Sequence, residues 1–304
     1  MALSEDQKSQ ILHGQASALY NAGHFQAAIG KYDRVIADDE RDVHAWIHRG
    51  YALCELEDYD AALDSFQQAV HLEPKNPLAW HGRGIVQAKL SDYTAALDSF
   101  DRTIALNDSD LKAWYNRGNA LIRLNRHQEA LDSFNVMIQH HPENYRAWYN
   151  RAIALAAIRR YHDALSSLDT AVSIKSDCYY AWTYRGVMLN KLQRFTDALD
   201  SFERSLKYRL PNPNAWYGKA STYALQGKAR DAAQFLRQAV MVSPHVYRVM
   251  VQTDPNFSDI IHHPEIQAIL EHTSHAEQNA SGSLEYQEYS TRTRDNGSNA
   301  SIDF

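Results

Sequence analysis

Small and large apolar positions alternate along this chain with a period that repeats every 34 residues. Counting each tryptophan as position 4 of its unit, position 8 holds Gly50, Gly84, Gly118, Ala152, Gly186 and Ala220. Position 20 holds Ala62, Ala96, Ala130, Ala164, Ala198 and Ala232, and position 24 holds Phe66, Phe100, Phe134, Leu168, Phe202 and Leu236. Positions 4, 7, 8 and 11 fall on one face of a first helix, and 20, 24, 27 and 28 on one face of a second. A small residue at 8 opposite alanine at 20 lets two backbones approach, so each unit predicts a helical hairpin. The turn is expected at positions 15 and 16 (Glu57-Asp58, Ser91-Asp92, Asn125-Arg126). Pro74, Pro142 and Pro244 are expected to stop the second helix at position 32, where no N–H can continue it.

Trp46, Trp80, Trp114, Trp148, Trp182 and Trp216 mark six units: 43–76, 77–110, 111–144, 145–178, 179–212 and 213–246. Extending the register backward places Leu12, Ala16, Gly23, Phe25, Ala28 and Tyr32 at equivalent positions, which predicts a seventh, tryptophan-free unit over 9–42 after a lead-in of residues 1–8. A period of this length marks a repeat array whose units bury their faces against neighbours.

These positions closely resemble the tetratricopeptide repeat family, of bacterial type, over residues 9–246. Departures are small: Thr103, Met137 and Ser205 at position 27, and Asp108, Ser176 and Leu210 at position 32. Sel1-like, HAT and pentatricopeptide repeats differ in period or pattern. The resemblance implies an all-α, right-handed α-solenoid of seven repeats. The register fails after Pro244, and apolar residues across 247–273 (Phe257, Ile260, Ile266, Ile269) read as a helical cap for the last repeat. Residues 274–304 are rich in Ser, Asn, Gly and Glu and are expected to be a disordered tail. The block Ala-Leu-Asp-Ser-Phe, recurring at 62–66, 96–100, 130–134 and 198–202, exceeds what folding is expected to demand and points to duplication within the array.

In the family, positions 2, 5, 6, 9, 12 and 13 of the first helix line a concave groove. Here they give His48, His81, Tyr115, Asn116, Asn119, Arg146, Tyr149, Asn150, Tyr180, Tyr184, Asn190, Lys191 and Tyr217 as candidate peptide-binding residues. Asn offers a donor and an acceptor to an extended backbone, and Tyr supplies apolar area with a hydroxyl at low entropic cost. The implied function is a non-catalytic adaptor, scaffold or assembly factor that binds an extended peptide or helix of a partner protein. The carboxylate-clamp pattern of heat-shock-tail receptors is not completed in any frame. Arg49, Arg83, Arg117, Arg151 and Arg185, with Lys219, hold position 7 and are expected to pair with carboxylates of adjoining turns.

Composition narrows the alternatives. The chain is 44% hydrophobic and 22% charged, with a net charge of -6 and no basic run, which argues against nucleic acid. No signal peptide or membrane span is expected, and Cys54 and Cys178 are expected as reduced thiols in a cytoplasmic protein. No phosphate loop, nucleophile elbow or zinc-spaced cysteine pair is present, so neither enzyme activity nor a cofactor is expected. His44 and His48 stand i,i+4 with His13 and His81 on neighbouring units. They keep a ligand- or metal-sensing role open, beside self-association into a structural scaffold.

Overall fold

In the computed structural model, residues 5–271 are described. The expectations for the extreme N-terminus and for the tail at 274–304 lie outside them. The chain divides into two compact units on either side of the Pro142–Glu143 bond.

The first unit is built from four antiparallel pairs: α1 (Glu5–Asn21) with α2 (Phe25–Asp38), α3 (Val43–Glu55) with α4 (Tyr59–Leu72), α5 (Pro77–Lys89) with α6 (Tyr93–Leu106), and α7 (Leu111–Arg123) with α8 (His127–His140). The second holds α9 (Tyr145–Ala157) with α10 (Tyr161–Ile174), α11 (Tyr179–Lys191) with α12 (Phe195–Tyr208), and α13 (Pro213–Leu225) with α14 (Ala229–Val242). It closes with α15 (Pro244–Thr253), a 3₁₀ turn at Pro255–Phe257 and α16 (Pro264–Glu271). The fold is all-α, in helix-turn-helix repeats.

The small-residue columns do what their spacing implies. Ala28, Ala62, Ala96, Ala130, Ala164, Ala198 and Ala232 are all 0% exposed, as are Phe66, Phe100, Phe134 and Phe202. A Cβ added at Gly50, Gly84, Gly118 or Gly186 would fall within 2.8 Å of the ring of its own repeat's phenylalanine. Gly82 and Gly218 are equally tight, against Phe66 and Phe202 of the preceding repeat. Each of these two rings is thus wedged between glycines of successive repeats.

Three local readings change. The second helices end at position 30 whether proline follows (Leu72, His140, Val242) or not (Leu106, Ile174, Tyr208). Proline is therefore compatible with the stop and does not cause it. Position 15 is left-handed in every hairpin, at Glu57, Ser91, Asn125, Arg159 and Gln193 as well as Gly23 and Gly227, with φ between 58° and 77°. Packing of the helix pair imposes this conformation on side chains that resist it by about 1–2 kcal/mol each. The Ala-Leu-Asp-Ser-Phe block is also more structural than its repetition implies. Its serines, Ser65, Ser99, Ser133 and Ser201, are 0% exposed and accept hydrogen bonds from Arg49, Arg83, Arg117 and Arg185.

Three of these arginines reach back to the second helix of the preceding repeat: Arg49–Asp33, Arg117–Asp101 and Arg185–Asp169 at 2.6–2.7 Å. The carboxylates sit mid-helix at position 25, not in the turns. Each guanidinium also lies 5.6–5.9 Å from the centre of its own repeat's tryptophan ring. The indole N–H of Trp46, Trp80, Trp114 and Trp182 donates to the carbonyl six residues upstream, fixing the connection into the first helix.

Candidate functional site

The predicted groove residues lie on first helices, distributed between the two units. In the first unit they are His48 on α3, His81 on α5, and Tyr115, Asn116 and Asn119 on α7. His81 and Asn116 are buried, and the Asn116 side-chain amide meets His81 Nε2 at 3.2 Å. The other ring nitrogen, Nδ1, lies 3.3 Å from Asp110 Oδ2. Asp110 is the N-cap of α7, accepting from the backbone N–H groups of Lys112 and Ala113. His81 is thus held between a cap and a buried amide, with its polar atoms turned inward.

That arrangement recurs. His13 Nε2 meets Asp42 at 2.7 Å, and Asp42 caps α3. In the second unit Asn212 caps α13 and donates to Thr183 at 3.3 Å. At His13, His81 and Thr183, position 5 of one repeat braces the N-cap of the next; for His81 the spacing alone predicts ligand contact.

Burial holds the His81 pKa below the ordinary imidazole value, against the opposing pull of Asp110. Nδ1–H donating to Asp110 leaves Nε2 as the acceptor for Asn116, so a second proton would set two donors face to face. The folded chain therefore favours neutral His81. Its stabilising contribution is complete above the unfolded imidazole value and declines as pH falls below about 6.5. Urea melts at about pH 7.5 and pH 5 are expected to show this loss, with a smaller difference for His81→Gln. Parallel pH dependences in the two chains would remove His81 from the account.

His48 is half-buried, stacked on Tyr32 at a ring distance of 6.0 Å, and its Nε2 lies 3.0 Å from His44 Nε2. Burial, then the neighbouring His44, lowers the His48 pKa to about 4, and burial lowers that of His44. His13 stands edge-on to His44 at 5.3 Å. His44 and His48 flank a recess of about 400 Å³ lined by Arg41, Asp42, Val43, His44, Ile47, His48, Glu73, Asn76 and Leu78. Among the described residues no group of three or more His, Cys, Asp or Glu side chains is arranged to hold a metal ion.

In the second unit the predicted residues are Arg146, Tyr149 and Asn150 on α9, Tyr180, Tyr184, Asn190 and Lys191 on α11, and Tyr217 on α13. The structure gathers Tyr149, Tyr180 and Tyr184: the Tyr149 ring lies edge-on to Tyr180 at 4.8 Å and to Tyr184 at 5.9 Å. All three are half-buried. Burial pushes the Tyr184 hydroxyl up to about 12 and raises Tyr180, with the nearby Cys178 as the next cause. Arg146 Nε donates to Tyr145 at 3.1 Å, and Lys175 Nζ donates to the same oxygen at 3.3 Å. Burial would raise the Tyr145 pKa, but hydrogen bonds from Tyr180, Arg146 and Lys175 outweigh it and lower the value. Tyr145 and Lys175, at positions 1 and 31, were not among the sequence candidates.

Asn190 and Tyr217 are drawn inward. Asn190 accepts from Thr222 at 3.0 Å, and Tyr217 donates to Asp254 at 2.8 Å. The C-terminal segment in fact meets three groove positions of α13: Tyr247 donates to Asn214, Asp254 accepts from Tyr217, and Asn256 donates to Ser221. Lys191 is exposed. Cys54 and Cys178 are both buried free thiols. Among the described residues no helix is long and apolar enough to cross a membrane.

Paired helices with buried alanine and phenylalanine columns and first-helix polar residues define a helical-repeat protein of the kind that presents side chains to other proteins. The tetratricopeptide repeat profile matches residues 13–77, 81–139, 149–207 and 185–244, and the chain belongs to that family, whose repeats form protein–protein interaction modules and are typically non-catalytic. A shorter match, to the protein prenyltransferase alpha subunit repeat, spans residues 127–158 and carries no family assignment. No curated protein matches the sequence significantly.

Solved structures share the fold. A tetratricopeptide repeat protein from Parabacteroides merdae is 16% identical, with a TM-score of 0.63 over 81% of this chain and 98% of that one. PilF of Pseudomonas aeruginosa is 14% identical, with a TM-score of 0.58 over 73% and 98%. YrrB, described as a TPR protein with an unusual peptide-binding site, is 19% identical, with a TM-score of 0.56 over 62% and 97%.

Proposed function

We propose that this chain is a non-catalytic adaptor that holds an extended peptide of a partner protein against its first-helix residues, with Tyr149, Tyr180 and Tyr184 as the anchors. The observation that carries this reading is the edge-to-face tyrosine group on α9 and α11. Three half-buried rings offer apolar area while losing little side-chain freedom on binding, because they already brace one another. Arg146 and Asn150, on the same helix as Tyr149, are of the donor and acceptor types that an extended backbone requires, in exchange for their present partners. The peptide-binding site for which YrrB is described supports the class of ligand. His81, Asn116, Asn190 and Tyr217 contribute by fixing the first helices in place, since their polar atoms are already engaged.

A peptide-display selection on the tag-free chain, followed by fluorescence polarisation of the selected peptides, tests the reading. Tyr149→Ala, Tyr180→Ala and Tyr184→Ala are each expected to weaken binding about tenfold or more, as truncated anchors do. Undiminished binding by a folded triple variant would overturn the assignment of these rings.

A further inference from the structure

We propose that His44 and His48 form a two-ligand site for a divalent transition-metal ion of the zinc type, opening into the recess between α3 and the start of α5. The first support is geometric. Two ligands of one tetrahedral or octahedral ion with metal–nitrogen bonds of about 2.0–2.1 Å stand about 2.9–3.4 Å apart. The two Nε2 atoms are already 3.0 Å apart. Spacing of i,i+4 on α3 aims both rings over the same face, so the pair is held by the helix itself and needs no loop to close.

The second support is the recess. Its volume of about 400 Å³ accommodates an ion with the water molecules that complete its shell. Asp42 and Glu73 bring two carboxylates to its lining, against the single cation Arg41. Neither carboxylate is free to move at will: Asp42 bonds His13 and caps α3, and Glu73 accepts from Asn76 at 2.7 Å. They act as outer partners that favour positive charge, leaving the protein with two direct ligands and not the three or four of a closed structural site. Loading the site needs one rearrangement. The proton shared between the two Nε2 atoms moves to Nδ1 of its own ring, freeing both lone pairs with no net proton release.

The site binds independently of any peptide at the tyrosine group. Isothermal titration of tag-free full-length chain with zinc chloride, in a buffer that does not chelate, is expected to give saturable binding of one ion per chain. His44→Gln and His48→Gln are each expected to weaken it by more than about tenfold, and His162→Gln, on exposed α10 surface, to leave it unchanged. Far-UV circular dichroism of the metal-free variants establishes that they fold. Histidine-ring NMR of the unsubstituted chain reads the same question without mutation: the His44 and His48 signals must move first as zinc is added. Absence of saturable binding by wild type, full retention by the His44→Gln/His48→Gln double variant, or earlier movement of other histidine signals would each overturn the site.

Discussion

Phe257→Ala is expected to weaken the attachment of the C-terminal segment by about 3–5 kcal/mol, the range for emptying a buried aromatic site. Phe257 is 0% exposed in a cluster with Leu236, Val251, Ile266 and Ile269, and its ring centre lies 5.5 Å from that of Tyr217. Two of the three hydrogen bonds that join the segment to α13 depend on this ring, because it sets where Asp254 and Asn256 stand. In a repeat array each element leans chiefly on its neighbours, so the loss should be confined to the end that suffers it. Amide exchange across 244–271 is expected to accelerate strongly, with the helices of the first unit unchanged. Uniform acceleration along the chain would show that the segment is coupled to the whole array. The same variant should expose Asn214, Tyr217 and Ser221, which the segment otherwise covers.

Gly84→Ala is expected to cost about 1–3 kcal/mol, the usual penalty for overpacking a filled core. The added methyl carbon would sit 2.6 Å from the Phe100 ring, which is 0% exposed and has no room to retreat. The chain itself contains the remedy. Where position 8 is glycine the ring at position 24 is phenylalanine, as at Gly50/Phe66, Gly84/Phe100, Gly118/Phe134 and Gly186/Phe202. Where position 8 is alanine, position 24 is leucine, as at Ala152/Leu168 and Ala220/Leu236, with all four side chains fully buried. The terminal pair Ala16/Tyr32 departs from this matching. Gly84→Ala/Phe100→Leu is therefore expected to be more stable than the sum of its single substitutions predicts, in a double-mutant cycle read by thermal melts. Additive losses would mean that the methyl group and the ring do not compete for one volume.

Candidate residues were legible only in part, and the reason is specific. First-helix positions 5 and 6 are exposed in an isolated helix, so His81, Asn116 and Tyr217 read as ligand contacts from spacing alone. In the folded chain the next first helix, or the C-terminal segment, comes within hydrogen-bonding reach of them. Gly82 shows the same limit from the apolar side: it occupies position 6, yet its missing side chain is what admits Phe66. By contrast Tyr149, Tyr180 and Tyr184 stay half-exposed, because aromatic rings of this size cover one another without being swallowed.

The 34-residue recurrence of small and large apolar residues determined the hairpin, the helix faces and the family, because burial at fixed helical spacing is a local property of the chain. Tertiary packing decided what no local pattern encodes. It imposed left-handed turns on Glu57, Ser91, Arg159 and Gln193, ended second helices at one position with or without proline, and turned position 5 into a brace for the next helix cap. The turns and helix stops are set within one hairpin, whereas the brace depends on atoms about 30 residues distant along the chain, whose approach exists only once neighbouring hairpins stack.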